Sequence, residues 1–206
     1  MTRVTADVGI SLDGYASGPN QSFEKPFGDG GLLDHLRKWM FDEDEAPKHA
    51  AERAKITSAT AYVMGRNMFS PGRGEWDLEW KGWWGDDPPY HGPVFVLTNH
   101  AREPLTMEGG TTFHFVTDGP ESALAQAKAA AGDGHVSIAG GATTLRQYLK
   151  AGAVDELRLH VVPFVLGQGE NIFTGLGGAE FEAVEVSGTS VVTHVTYRRS
   201  SHLTLT

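Results

Sequence analysis

Cysteine is absent from the 206 residues, which excludes disulfides and thiolate zinc sites. Basic charge is scarce. Seventeen Lys and Arg stand against 26 Asp and Glu, a formal net charge of −9. Binding nucleic acid requires clustered cations to neutralise phosphates, so no nucleic-acid partner is expected. No apolar run approaches the ~20 residues needed to span a bilayer, and no membrane role is expected. Met1 to Thr5 run straight into strand-like alternation without a leader pattern, so a cytoplasmic location is expected. No G-x-G-x-x-G follows the first strand, which argues against a standard Rossmann domain. The nine histidines include no H-x-x-x-H spacing. His35, His160 and His194 read as surface or satisfied residues, and no metal site is expected. The run Asp42-Glu43-Asp44-Glu45 reads as a solvated loop or helix end.

What remains is an ordinary globular composition, 40% hydrophobic and 21% charged, long enough for a sizeable core. Without internal repeats or a long linker, residues 1–206 read as a single domain. Strand patterns cover Thr5–Leu12, Thr60–Met64, Val94–Leu97, Thr112–Val116, Glu156–Leu166, Phe181–Ser187 and Val191–Arg198. Helical spacing covers Leu32–Phe41, Ala46–Ile56 and the stretch from Pro120 to Ala131. Strands alternating with helices predict a mostly parallel sheet, and the last two strands predict an antiparallel hairpin at one edge.

The stretch Val136-Ser137-Ile138-Ala139-Gly140-Gly141-Ala142-Thr143-Thr144-Leu145 is the most informative. It reads as a short strand, a glycine pair and a helix in which Leu145 and Leu149 are four apart and Gly152 is the stop. A glycine pair there lets backbone approach a ligand, and the helix start leaves N–H groups free for phosphate. A bare tight turn is the alternative. In Tyr62-Val63-Met64-Gly65-Arg66-Asn67-Met68, Gly65 permits close approach and a helix starting near Asn67 offers further N–H groups. Arg66 supplies a bidentate cation, which favours NADPH over NADH because the 2′-phosphate needs a counter-charge. A glycine helix start beside a surface arginine is the alternative here.

The glycine-pair segment, Asp155-Glu156-Leu157, the strand reaching Val162-Pro163, Leu166-Gly167-Gln168-Gly169 and Phe173 together resemble the reductase domain of riboflavin biosynthesis. That domain is a branch of the dihydrofolate reductase-like fold. Residues 62–68 resemble the corresponding segment of dihydrofolate reductases, and Ser11-Leu12-Asp13-Gly14 resembles the element ending the family's first strand. The resemblance implies a three-layer α/β sandwich with a mostly parallel central sheet and a C-terminal antiparallel hairpin. It further implies an NADPH-dependent reductase that passes hydride to a small pyrimidine- or pterin-like heterocycle. A non-catalytic nucleotide- or flavin-binding protein on the same fold is the alternative. Implied cofactor contacts are Gly65, Arg66, Asn67, Thr98, Ala139, Gly140, Gly141, Ala142, Thr143 and Thr144, with a cis peptide joining Gly140 to Gly141. Ser11, Asp13 and Gly14 are implied to lie beside the nicotinamide and substrate. Asp13 is the candidate catalytic carboxylate, binding ring amino groups or orienting a water that supplies a proton.

Relatives fused to a zinc deaminase use cysteine ligands, so this chain contains no such domain. Trp76, Trp80, Trp83 and Trp84 crowd a proline-rich loop over residues 71–92. Such a loop either lids a flat heterocycle, with Trp84 as the substrate contact, or packs on a second subunit of a homodimer.

Overall fold

The computed structural model describes residues 2–200. Nine strands form one sheet. Its members are β1 (Val4–Ile10), β3 (Ala61–Gly65), β4 (Pro93–Leu97), β5 (Leu105–Thr106), β6 (Thr112–Val116), β7 (Val136–Gly140), β8 (Glu156–Val161), β10 (Phe181–Gly188) and β11 (Thr193–Arg199). A two-stranded sheet pairs β2 (Tyr15–Ser17) with β9 (Glu170–Asn171). In the large sheet the order is β10-β11-β8-β1-β7-β3-β4-β6-β5. Pairings from β8 through β1, β7, β3 and β4 to β6 are parallel. The hairpin β10–β11 adds antiparallel against β8, and β5 adds antiparallel against β6.

Helices α4 (Pro120–Ala131) and α5 (Ala142–Lys150) cover one face. Ala123, Leu124, Ala127, Leu145, Tyr148 and Leu149 from these helices close over Val4, Ala6, Val63, Ile138 and Leu157 from four strands. The strands are buried on both faces, which explains why they read as near-continuous apolar runs. On the opposite face, α1 (Leu32–Phe41) places Leu32, Leu36 and Trp39 against Val162 and Val192. Beyond it, a 3₁₀ turn (Ala46–His49) and α2 (Ala50–Ile56) follow the same side. The rest of that face, Tyr62, Met64, Val94, Val96 and Phe113, is covered by Phe69 and by tryptophans of the 71–92 loop. Phe69 ends the short helix α3 (Arg66–Phe69). The result is the expected three-layer sandwich with a parallel centre and a C-terminal hairpin.

Three expectations are revised by local chemistry. The helix read over Ala46–Ile56 is a 3₁₀ turn followed by α2, because Pro47 lies in the first turn and His49 leaves helical geometry. The strand read over Glu156–Leu166 ends at Val161, shortly before Pro163, which has no N–H for the ladder. The first strand stops at Ile10, because the Ser11 N–H turns back to the Tyr15 carbonyl at 2.9 Å.

Candidate active site

Met64 is in register with Gly140, Gly65 with Leu97, and Leu97 with Val116. The carboxyl ends of β7, β3 and β4 therefore form one rim carrying Gly140–Gly141, Gly65–Arg66 and Thr98. Crevices outside such strand ends are where open α/β sheets bind ligands. Gly140 has φ +116°, open to glycine alone, and the peptide joining it to Gly141 is cis. A β-carbon on Gly141 would meet nothing within 4 Å. Beyond Gly141 begins α5, which has no side-chain cap. The Leu145 N–H is the one that reaches the Gly141 carbonyl, so those of Ala142, Thr143 and Thr144 precede the helical bonding pattern and point outward. The positive end of the helix dipole thus lies beside the glycine pair. Ala142 and Thr144 are buried, and the Thr143 hydroxyl bridges Arg146 (2.9 Å) and Glu170 (3.2 Å).

Gly65 is also required by the packing of the fold. A β-carbon there would collide with Thr144 Oγ1, so the close approach is between β3 and α5. Arg66 lies with its guanidinium 3.9 Å from the centre of the Trp76 ring, and its Nη2 donates to the Glu75 carbonyl at 3.4 Å. Its buried Nε has no partner. Burial lowers the Arg66 pKa, and the neighbouring Arg73 lowers it further. Arg73 donates to Asn67 Oδ1 at 3.1 Å. Arginine ion pairs occur at Arg3, Arg146 and Arg158, whereas Arg66 and Arg73 form none among the described residues. The Thr98 hydroxyl accepts from the His100 N–H at 3.1 Å, and Trp76 Nε1 donates to the His100 carbonyl at 2.8 Å. Arg73 and Trp76 were not singled out from the sequence. Arg73 lies in an irregular turn, and Trp76 is one of four similar rings; only tertiary contact distinguishes them.

At the end of β1, Ser11 is fully buried and donates to Asp13 Oδ1 at 2.6 Å. The Asp13 carboxylate also accepts N–H bonds from Leu166 (3.0 Å) and Gly167 (2.7 Å). Asn171 Nδ2 donates to the Asp13 carbonyl, and Gly14, at φ +88°, lies against Asn171 and Phe173. Desolvation pushes the Asp13 pKa up, but the Ser11 hydroxyl and the Leu166 and Gly167 N–H groups outweigh it and bring it to about 2. Asp13 is thus an ionised acceptor that ties β1 to the segments after β8. Its acceptor capacity is largely used within the fold.

Trp84 is placed apart from Ser11 and Asp13. Its ring lies 5.8 Å from that of Phe113, stacked, and 5.2 Å from that of Tyr90. Phe113 is on β6, four strands from β1, so Trp84 is an outer-layer packing residue and is not brought to Ser11 or Asp13. Trp80 and Trp83 instead meet Phe23, at 4.9 and 6.1 Å between centroids.

A parallel sheet flanked by helices, with glycine-lined strand ends beside an uncapped helix start, defines a dihydrofolate reductase-like α/β protein. The chain belongs to the RibD C-terminal domain family, whose model matches residues 2–195. Similar solved structures include a protein named for riboflavin biosynthesis from Shewanella sp. PV-4. It shares 22% identity at a TM-score of 0.60, over 97% of this chain and 99% of that one. A bifunctional pyrimidine deaminase/uracil reductase from Thermotoga maritima matches at 15% identity and TM-score 0.57, over 97% of this chain and 57% of that one. Dihydrofolate reductase from Enterococcus faecalis, solved with NADP(H), matches at 15% and 0.51, over 97% of each chain. At these identities the likeness is one of fold. No curated protein sequence matches.

Proposed function

We propose that the chain is an NADPH-dependent reductase that delivers hydride to a small pyrimidine- or pterin-like heterocycle. Its membership of a reductase family and the chemistry of the rim support this reading. One observation carries it: Arg66 and Arg73 are close and mutually repelling, with no carboxylate in ion-pair contact among the described residues and only a partial offset on Arg66 from the Glu75 charge, on the same rim as the free N–H groups of α5. Two phosphate-binding elements so placed suit a dinucleotide carrying an extra phosphate. The residues proposed to hold NADPH are Gly65, Arg66, Asn67, Thr98 and the run Ala139 to Thr144, with Arg73 and Trp76 added. The bound nicotinamide would supply the hydride. Ser11, Asp13 and Gly14 would border the substrate, with the acceptor position of Asp13 not taken by Ser11, Leu166 and Gly167 receiving a ring N–H or orienting a water that supplies a proton. Lys25, the lone basic candidate for a substrate phosphate in the 18–31 loop, is engaged by Asp29 at 2.6 Å.

A homodimer is part of the proposal, supported by the edge strand β10, where Val184 and Val186 are exposed. Light scattering tests it. A cytoplasmic location is also proposed; no described helix is long and apolar enough to cross a membrane. Binding without turnover is the second reading, favoured by the ionised, internally bonded state of Asp13. Calorimetry with NADPH and NADH, followed by steady-state NADPH oxidation over a panel of pterins and aminopyrimidines, tests both. Tighter NADPH binding with turnover supports the reductase, and tighter binding without turnover supports the second reading. Equal affinity for the two cofactors overturns the proposed NADPH site.

A further inference from the structure

A second group of buried polar side chains lies away from the rim, on the sheet face beneath α1, the 3₁₀ turn and α2. It forms a chain. Arg158 Nη2 is 2.9 Å from Asp7 Oδ2, and His160 Nε2 is 3.7 Å from Asp7 Oδ1. His160 Nδ1 is 2.7 Å from His194 Nδ1, and His194 Nε2 is 2.9 Å from His49 Nδ1. His49 Nε2 is 3.7 Å from Glu45 Oε2. All three histidines are at least 95% buried.

Each N···N contact needs one hydrogen and one lone pair. If His160 turns an Nε2–H toward Asp7, its Nδ1 is an acceptor and His194 must donate from Nδ1. The His194 Nε2 is then bare, so His49 must donate from Nδ1. That leaves a bare His49 Nε2 between the Thr189 hydroxyl at 3.4 Å and the Glu45 carboxylate at 3.7 Å. Three neutral histidines cannot present N–H to the carboxylates at both ends of this chain. Both ends are satisfied once the chain takes up one positive charge, either a proton on one imidazole or a metal ion on which the His194 Nε2 and His49 Nδ1 lone pairs converge, and the Glu52 carboxylate beside that contact favours the ion.

We propose that this point is a binding site for a zinc-type divalent ion, with His49 Nδ1, His194 Nε2 and the Glu52 carboxylate as ligands. Ligand atoms of these three residues lie within 4.8 Å of one another. Zn–N bonds of about 2.0–2.1 Å put two nitrogens on one tetrahedral ion roughly 3.3 Å apart, so only a small opening of the 2.9 Å contact is needed. His49 caps the start of α2 and Glu52 lies in its first turn. The surroundings follow metal-site logic. His49 would donate its other N–H toward Glu45, His194 would donate toward His160, and Ser187 already donates to Glu52 Oε1 at 2.7 Å. A small cavity of about 10 Å³ borders Glu52 and His194, two of the three proposed ligands. The two cations bordering that cavity are both paired, Lys55 with Glu185 at 2.8 Å and Arg158 with Asp7 at 2.9 Å. Two imidazoles and a carboxylate favour zinc or a similar first-row ion over calcium or magnesium. Local spacing hides the set because His49 and His194 are 145 residues apart. The ion would join the helical segment to the C-terminal hairpin.

The test uses the full untagged chain, stripped by chelator and titrated with Co(II) and Zn(II). One equivalent of Co(II) with the intense visible bands of a tetrahedral site is expected, and Zn(II) should raise the Tm by several degrees. Glu52→Gln keeps the Ser187 bond on a half-buried side chain and should weaken binding about tenfold or more. His194→Asn should abolish it, and His91→Ala, on an exposed histidine, should leave it unchanged. Absence of the cobalt bands in the wild type overturns the proposal. So does undiminished affinity in Glu52→Gln, which would place the metal elsewhere even if His194→Asn fails to fold.

Discussion

Gly65 and Thr144 are fitted to one another across the rim: a β-carbon in place of the glycine hydrogen would collide with the threonine hydroxyl. The contact sets how closely the start of α5 approaches the end of β3, and so where the free N–H groups point. Gly65→Ala should cost about 1–3 kcal/mol, the range for inserting a methyl into a packed contact. Thr144→Ala removes the colliding oxygen, so the double variant should recover part of that loss. Urea denaturation of all four proteins checks this, and strictly additive losses would show that the two residues do not meet.

Gly140 and Gly141 are predicted to behave differently from one another. Gly141 has φ −74°, which alanine accepts, and its β-carbon would meet no protein atom within 4 Å. Gly141→Ala should therefore leave stability within about 0.5 kcal/mol of wild type. It should weaken NADPH binding sharply, since the space a methyl enters is the space proposed for the cofactor. Gly140, at φ +116°, is a backbone position, and Gly140→Ala should lose about 1–3 kcal/mol of stability. Unchanged NADPH affinity in a folded Gly141→Ala protein would remove the glycine pair from the binding site.

The rim was legible because its signals are local. Val136 to Gly141 is one alternating strand closed by two glycines, and Gly65-Arg66 ends the adjoining strand. What escaped the sequence depends on distant partners. The role of Asp13 is set by N–H groups 153 and 154 residues away. Trp76 and Trp84 are alike in sequence, yet one stacks on Arg66 and the other on Phe113. For His160 and His194, read as surface or satisfied residues, the second alternative holds and only the partner was out of sight. They are buried and bonded to each other, because β8 and β11 pair them in register.

Asp13→Asn separates anchoring from cofactor binding. The amide keeps one acceptor oxygen but turns an NH₂ toward the Ser11 hydroxyl or the Leu166 and Gly167 N–H groups. Stability should fall by about 1–3 kcal/mol, the cost of leaving such donors unpaired. NADPH affinity should not change, because Asp13 touches neither β3 nor α5. The acid limb gives a second readout. The Asp13 pKa is depressed from 3.8 to about 2 in the folded protein. Its contribution is fully present above pH 3.8 and is lost as pH falls through about 2. Wild-type Tm should therefore fall more steeply than that of Asp13→Asn between pH 4 and 2. Parallel acid limbs would mean that the carboxylate anchors nothing.

Arg66 and Trp76 supply the most direct test of the cofactor site. Stacked 3.9 Å from the Trp76 ring, the guanidinium is held in place before any ligand arrives, and its Nε has no protein partner. A phosphate accepted by Arg66 should leave that stack in place and alter Trp76 emission. Arg66→Ala should cost NADPH about 1.5–3 kcal/mol of binding, the range for a hydrogen bond to a charged group, and cost NADH little. Arg66→Lys should restore only part of it, because an ammonium lacks the planar fork that both stacks and pairs. Tryptophan fluorescence under NADPH titration should respond in the wild type and in Trp84→Phe, and lose most of its response in Trp76→Phe. A full response in Trp76→Phe, or an equal loss of NADPH and NADH affinity in Arg66→Ala, would put the 2′-phosphate somewhere other than this arginine.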